Sequence, residues 1–185
     1  MIAAGHRRIA NLSLRPEMVA GRLRPFGCRY ALEEAGLDVD PALLAHVDFE
    51  QPEIGPQLLW DTIDRMLRLP EPPTIICCGN DQMAMMVYGI LRSMNSKMPE
   101  EVGVAGFDNY RAIAETLYPP LSTVKLPYTA IGVRAGERLM QLISGENRNE
   151  HSPVRVAGPV HWRASVNEVR PENVETFKTF REETK

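Results

Sequence analysis

Residues 74–84 read TIICCGNDQMA. A continuous apolar run, Thr74 to Cys78, ends abruptly in Gly79, Asn80 and Asp81 before the chain turns helical. Such a run has no polar face for solvent, which suits a parallel strand covered on both sides. The pattern recurs about twenty residues on in VGVAGFDNY, residues 102–110, where another apolar run ends in Gly106-Phe107-Asp108-Asn109. Between them Met83, Met86, Val87, Ile90, Leu91 and Met94 fall at i, i+3, i+4, i+7, i+8 and i+11, the core stripe of a helix over 82–94.

The same alternation extends in both directions. RRIANLSL (7–14) and LLAHVDF (43–49) read as strands. Between these two, Leu23, Phe26, Gly27, Tyr30 and Ala31 recur at helical spacing, and Gly36 is a C-terminal stop. Pro25 fits only a first turn, which places the start of that helix near Arg22. Pro56 opens a helix carrying Leu58, Leu59, Ile63, Met66 and Leu67, stopped by Pro70, Pro72 and Pro73. LSTVKL (121–126) is a further strand, and Ile131, Ala135, Leu139 and Leu142 mark a helix closed by Gly145. VRVAGPVHW (154–162) is extended, and the tail from Arg170 is polar and charged. Alternating strands and helices predict an α/β domain: an open, mostly parallel sheet with helices on both faces.

In open α/β sheets ligands sit beyond the carboxyl ends of the strands. Both polar clusters lie at such ends, so both are expected to line that crevice. Asp81 stands where an N-cap belongs and reads as a cap, whereas Asn80 and Asp108 read as ligand contacts.

The bulk numbers narrow the class. The 185 residues suffice for one ordinary domain, and 44% hydrophobic with 24% charged content is that of a globular chain. No apolar run is long enough for a transmembrane helix, and no signal-peptide pattern opens the sequence. A net charge of -3 argues against non-specific nucleic-acid binding by these residues. Three cysteines, Cys28, Cys77 and Cys78, are an odd number, so they read as buried thiols in a reducing cytoplasm and not as a disulfide framework.

Catalytic patterns are missing. There is no Gly-x-Gly-x-x-Gly after a strand, no Gly-Lys-Ser/Thr phosphate loop and no Gly-x-Ser-x-Gly elbow. His6, His46, His151 and His161 lack zinc spacing and read as structural or surface residues. No nucleophile, base and oxyanion donor assemble, so the chain reads as a binding protein without a metal or cofactor.

Taken in order, AGHRRIANL, the Arg-x-x-Gly helix, PTIICCGNDQMA, MPEEVGVAGFDN, YPPLSTVKLPYTAIG and WRAS resemble the effector-binding region of LacI/GalR-type transcriptional regulators. The resemblance runs from residue 4 to about 166. It implies a periplasmic-binding-protein-like fold of two α/β lobes around a crevice, a homodimer, and a sugar or related metabolite as effector. It also implies effector-contact roles for Arg24, Asn80 and Asp108, a stacking role for Phe49, and a place in the ligand loop for Arg15. Leu126 stands where the family often has Gln, and Pro25 and Cys28 depart from the usual residues around the first helix.

Met1 falls where the second lobe of such a protein starts, so operator DNA would be read only by a head outside this chain. Residues 1–120 and 146–170 are then expected to be the C-terminal lobe. Residues 121–145 would be a crossover strand and helix of the other lobe, and 171–185 a polar tail. A second apolar edge of the 82–94 helix, Met85 and Tyr88, is expected with Leu117 to form the dimer contact. The competing reading is a sugar-binding protein of a transport system, against which the free cysteines and the GHRRIA and FDN motifs count.

Overall fold

The computed structural model describes residues 1–145 and 153–169. The expected roles of His151 and of the tail 171–185 lie outside them. In chain order the elements are β1 (Ile9–Ser13), α1 (Val19–Glu34), β2 (Leu44–His46), α2 (Gly55–Leu67), β3 (Ile75–Cys78) and α3 (Asp81–Ser93). They continue with β4 (Gly103–Asp108), α4 (Arg111–Ala114), β5 (Ser122–Lys125), α5 (Tyr128–Ile143) and β6 (Val160–His161). No helix among the described residues is long and apolar enough to cross a membrane.

One six-stranded sheet runs β2-β1-β3-β4-β5-β6. Every pairing is parallel except β5 with β6. Strand β3 shows why its sequence is apolar throughout. Alternate side chains of a strand point to opposite faces. Ile76 and Cys78 join one core with Leu59, Ile63 and Met66 of α2 and Met83, Val87 and Leu91 of α3. Ile75 and Cys77 join the other, with Leu32 and Cys28 of α1. Both faces are therefore covered, as the continuous run requires.

Helix α1 differs from expectation. It begins at Val19, so Pro25 lies inside it. The apolar set Leu23, Phe26 and Tyr30 is exposed, and the buried residues are Gly21 and Leu32. The cause is a close approach at Gly21, where a Cβ would stand 2.0 Å from the carbonyl oxygen of Arg15. Only glycine lets the helix come that near. At about 100° per residue, Cys28 and Leu32 share the face of Gly21, while Leu23, Phe26 and Tyr30 turn away.

Two expectations downstream are also corrected. The strand at 122–125 pairs with β4 and belongs to this sheet, so the expected boundary at residue 121 cuts through the lobe. Tyr88 does not form an exposed edge on α3: it is 1% exposed, and its hydroxyl donates to the carbonyl of Pro119 at 2.9 Å. It lies two turns along from Asp81 and one from Ala84, both buried, so the stripe of α3 is wider than its strongest apolar positions suggest. Met85 stays exposed, and Leu117 packs part-buried against the core. Helix α5, by contrast, buries none of its residues.

Candidate ligand-binding crevice

Strands β3 and β4 are parallel neighbours, so their carboxyl ends open on the same edge of the sheet. A groove of about 450 Å³ lies there. Its polar lining is Asn80, Asp81, Gln82, Asp108 and Asn109, and its apolar and aromatic lining is Met85, Tyr110, Ile113 and Tyr128.

Asn80, not Asp81, is the N-cap of α3. Its Oδ1 accepts from the amide of Met83 at 2.8 Å, a bond that satisfies one orphan donor of the first turn. The side-chain amide N–H groups of Asn80 remain for a ligand. The expectation that Asp81 caps the helix is thus corrected: Asn80 already holds that position, and Asp81 is the first helical residue.

Asp81 is 1% exposed. Its Oδ1 accepts from the Thr123 hydroxyl at 2.6 Å and its Oδ2 from the backbone N–H of Tyr110 at 2.7 Å. Burial raises its pKa above the usual carboxylate value against the lowering effect of these donors.

Asp108 ends β4 with φ 119, and Asn109 follows at φ 51. Arg24 reaches from α1 to meet it: one guanidinium nitrogen is 3.3 Å from the Asp108 carboxylate, and another donates to the carbonyl of Gly79. The guanidinium lies over the Phe107 ring, 4.0 Å from its centroid, a cation–π geometry. Burial raises the pKa of Asp108, the Arg24 charge opposes that, and the nearby Asp81 charge adds to it.

The structure therefore brings Arg24, Asn80 and Asp108 together and leaves two expected contacts apart. Arg15 is half-exposed and faces Asp48 at 3.8 Å, away from the groove lining. Phe49 is 4% exposed and packs in the core with Leu59 and Ile63, so its ring has no open face for stacking. The aromatic residues that do line the groove are Tyr110 and Tyr128. No periodic signal marks them: Tyr110 precedes the four-residue α4, and Tyr128 is the first residue of α5.

Sequence reading also missed Arg163. It donates to Asn109 Oδ1 at 2.9 Å and to the carbonyl of Leu121 at 2.7 Å. Two residues on, Ser165 donates to the carbonyl of Val104 and accepts from the amide of Ser122, both at 2.7 Å. The returning segment thus fastens the rim of the sheet.

His6 and His46 are structural. His6 bonds Thr74 and the carbonyl of Asn167, and His46 bonds the carbonyl of Leu14. All three cysteines are free, and burial pushes the Cys77 thiol up to about 12, which makes it inert. Among the described residues no three metal-ligating side chains cluster.

An open, mostly parallel sheet with helices on both faces, whose strand ends bring Asn80 and Asp108 to one groove and whose first helix sends Arg24 to Asp108, has the architecture of a periplasmic-binding-protein-like lobe. The chain belongs to the periplasmic binding protein-like domain family, which its residues 1–166 match. The transcriptional regulator CelR of Thermobifida fusca is 32% identical over 161 residues, 87% of this chain and 45% of CelR. The repressor CytR of Escherichia coli is 32% identical over 143 residues, 77% of this chain and 40% of CytR. The chain thus spans less than half the length of these curated relatives.

Among solved structures, the CelR–cellobiose complex superposes with a TM-score of 0.71 at 30% identity, covering 89% of this chain and 48% of that one. A sugar-binding regulator of the LacI family from Escherichia coli, complexed with phosphate, gives 0.75 at 27% identity, covering 91% and 58%. The resemblance to LacI/GalR-type regulators carried by the motifs is borne out. These relatives are transcriptional regulators and not enzymes.

Proposed function

We propose that this lobe senses a sugar or related small metabolite for a LacI-type transcription regulator of the cytoplasm, binding its effector without turnover. The observation that carries the reading is Asp108 at the end of β4, joined to Arg24 and flanked by Asn80 on one groove. A carboxylate can accept from two neighbouring hydroxyls, Asn80 can donate its amide, and Tyr110 and Tyr128 offer flat apolar faces to a ring. The relatives support a sugar: one similar structure holds cellobiose, and a ribose operon repressor of Haemophilus influenzae is 31% identical over 153 residues.

Operator recognition is assigned to a helix-turn-helix head of the kind the relatives' names carry, outside the matched residues. An effector shifts such a regulator only by binding one lobe arrangement better than another. A second copy is expected to meet α3 near the exposed Met85. Isothermal titration of the chain with cellobiose, ribose and other neutral sugars tests the ligand reading. Saturable binding that Asp108→Ala weakens supports it, and a parent that binds none of them refutes it.

A further inference from the structure

We propose that Asp81 is a positioning residue of the groove, whose carboxylate holds the turn after β4 so that Asp108 faces ligand and Arg24. This rests on reading the groove as the effector site.

Four observations carry it. First, Asp81 is not spent on capping α3, because Asn80 does that. Second, both of its oxygens bond elements other than its own. One accepts from the backbone N–H of Tyr110, and the other from Thr123 of β5, whose hydroxyl oxygen in turn accepts from the N–H of Asn109 at 3.2 Å. The two amides that follow Asp108 thus end on Asp81, directly or through Thr123.

Third, Asp108 and Asn109 both have positive φ, where side-chain-bearing residues persist only when their surroundings over-determine them. The Asp81–Thr123 pair supplies that constraint from the sheet side, and Arg163 holds the Asn109 side chain from the other. Fourth, the site is cut to fit a carboxylate. A Cβ at Gly106 would stand 2.2 Å from Asp81 Oδ1. Burying this charge raises its pKa, which marks a cost that a turn needing only local bonds would avoid.

The test uses Asp81→Ala, which removes both acceptors, and Thr123→Val, which keeps shape and removes only the hydroxyl. Thr123→Ser keeps the hydroxyl as the conservative rescue. With cellobiose and ribose as probes, Kd is expected to rise about ten- to a hundredfold in the first two variants and to stay within about threefold in the third. In an Asp108→Asn background, Asp81→Ala is expected to add less than about twofold, because it acts through Asp108. A folded Asp81→Ala chain with parental Kd, or losses that multiply in full, would overturn the proposal.

The carboxyl ¹³C signal of Asp108 in the ligand-free chain gives a second measurement that needs no sugar. It should move in Thr123→Val and hold in Thr123→Ser. If the parent binds neither probe, the effector reading fails while this signal still decides positioning, and an unmoved signal in Thr123→Val overturns it.

Discussion

Replacing Asp108 with glycine separates a ligand contact from a turn-former. At φ 119 the backbone of Asp108 favours glycine. Releasing that strain stabilises the fold by about 1–3 kcal/mol. Against it stand about 0.5–1 kcal/mol for the extra freedom glycine gives the unfolded chain. The Arg24 pair, at 3.3 Å and partly exposed, is worth a further ~0.2–1 kcal/mol. The sum lies within about 2 kcal/mol of zero, so the melting temperature without ligand should stay within a few degrees of the parent. Asp108→Ala keeps the strain and loses the pair, so it should be less stable than Asp108→Gly by about 1 kcal/mol. Both variants should lose about ten- to a hundredfold in affinity for a sugar that the parent binds, since both delete a charged acceptor. Thermal melts and isothermal titrations of the three chains decide it. A destabilised Asp108→Gly with parental affinity would mean that the carboxylate serves the turn and not the ligand.

Tyr88→Phe should cost about 0.5–1.5 kcal/mol in urea denaturation, because the Pro119 carbonyl loses its donor, and should leave association unchanged. Met85→Asp should lower the molecular mass in sedimentation if α3 carries the contact between copies, and an unchanged dimer would refute that. Amides of α5, a helix with no buried residue, should exchange faster than those of β3, and equal protection in a monomer would contradict it. His6 is buried with its pKa lowered, so its neutral form is favoured in the fold. The unfolded chain therefore binds the proton first, and stability contributed above the ordinary histidine pKa of about 6.5 is lost as pH falls through the lower folded value. The denaturation midpoint of His6→Gln should accordingly drop less than the parent's between about pH 7.5 and pH 5.5.

Much of the architecture is legible in the residues alone. The unbroken apolar runs at 74–78 and 102–107 imply strands covered on both faces, and the Gly-Asn-Asp and Gly-Phe-Asp endings place polar groups at the strand ends where a crevice forms. Those are local facts, set by strand periodicity and by what small polar residues do at turns. Which face of an element meets its neighbour is not local. The spacing of Leu23, Phe26 and Tyr30 announces a helix, but the contact of Gly21 with the Arg15 carbonyl turns those side chains to solvent. Asn80 and Asp81 are adjacent and chemically alike, yet one caps the helix and the other is buried between β5 and the turn after β4. That division depends on where Thr123 and the Tyr110 amide arrive, from 42 and 29 positions away respectively. Phe49 and Tyr88 look the same in sequence whether their rings face a ligand, a partner or the core. Packing chose the core, because a bonded hydroxyl and a filled apolar space become available only once the sheet has formed.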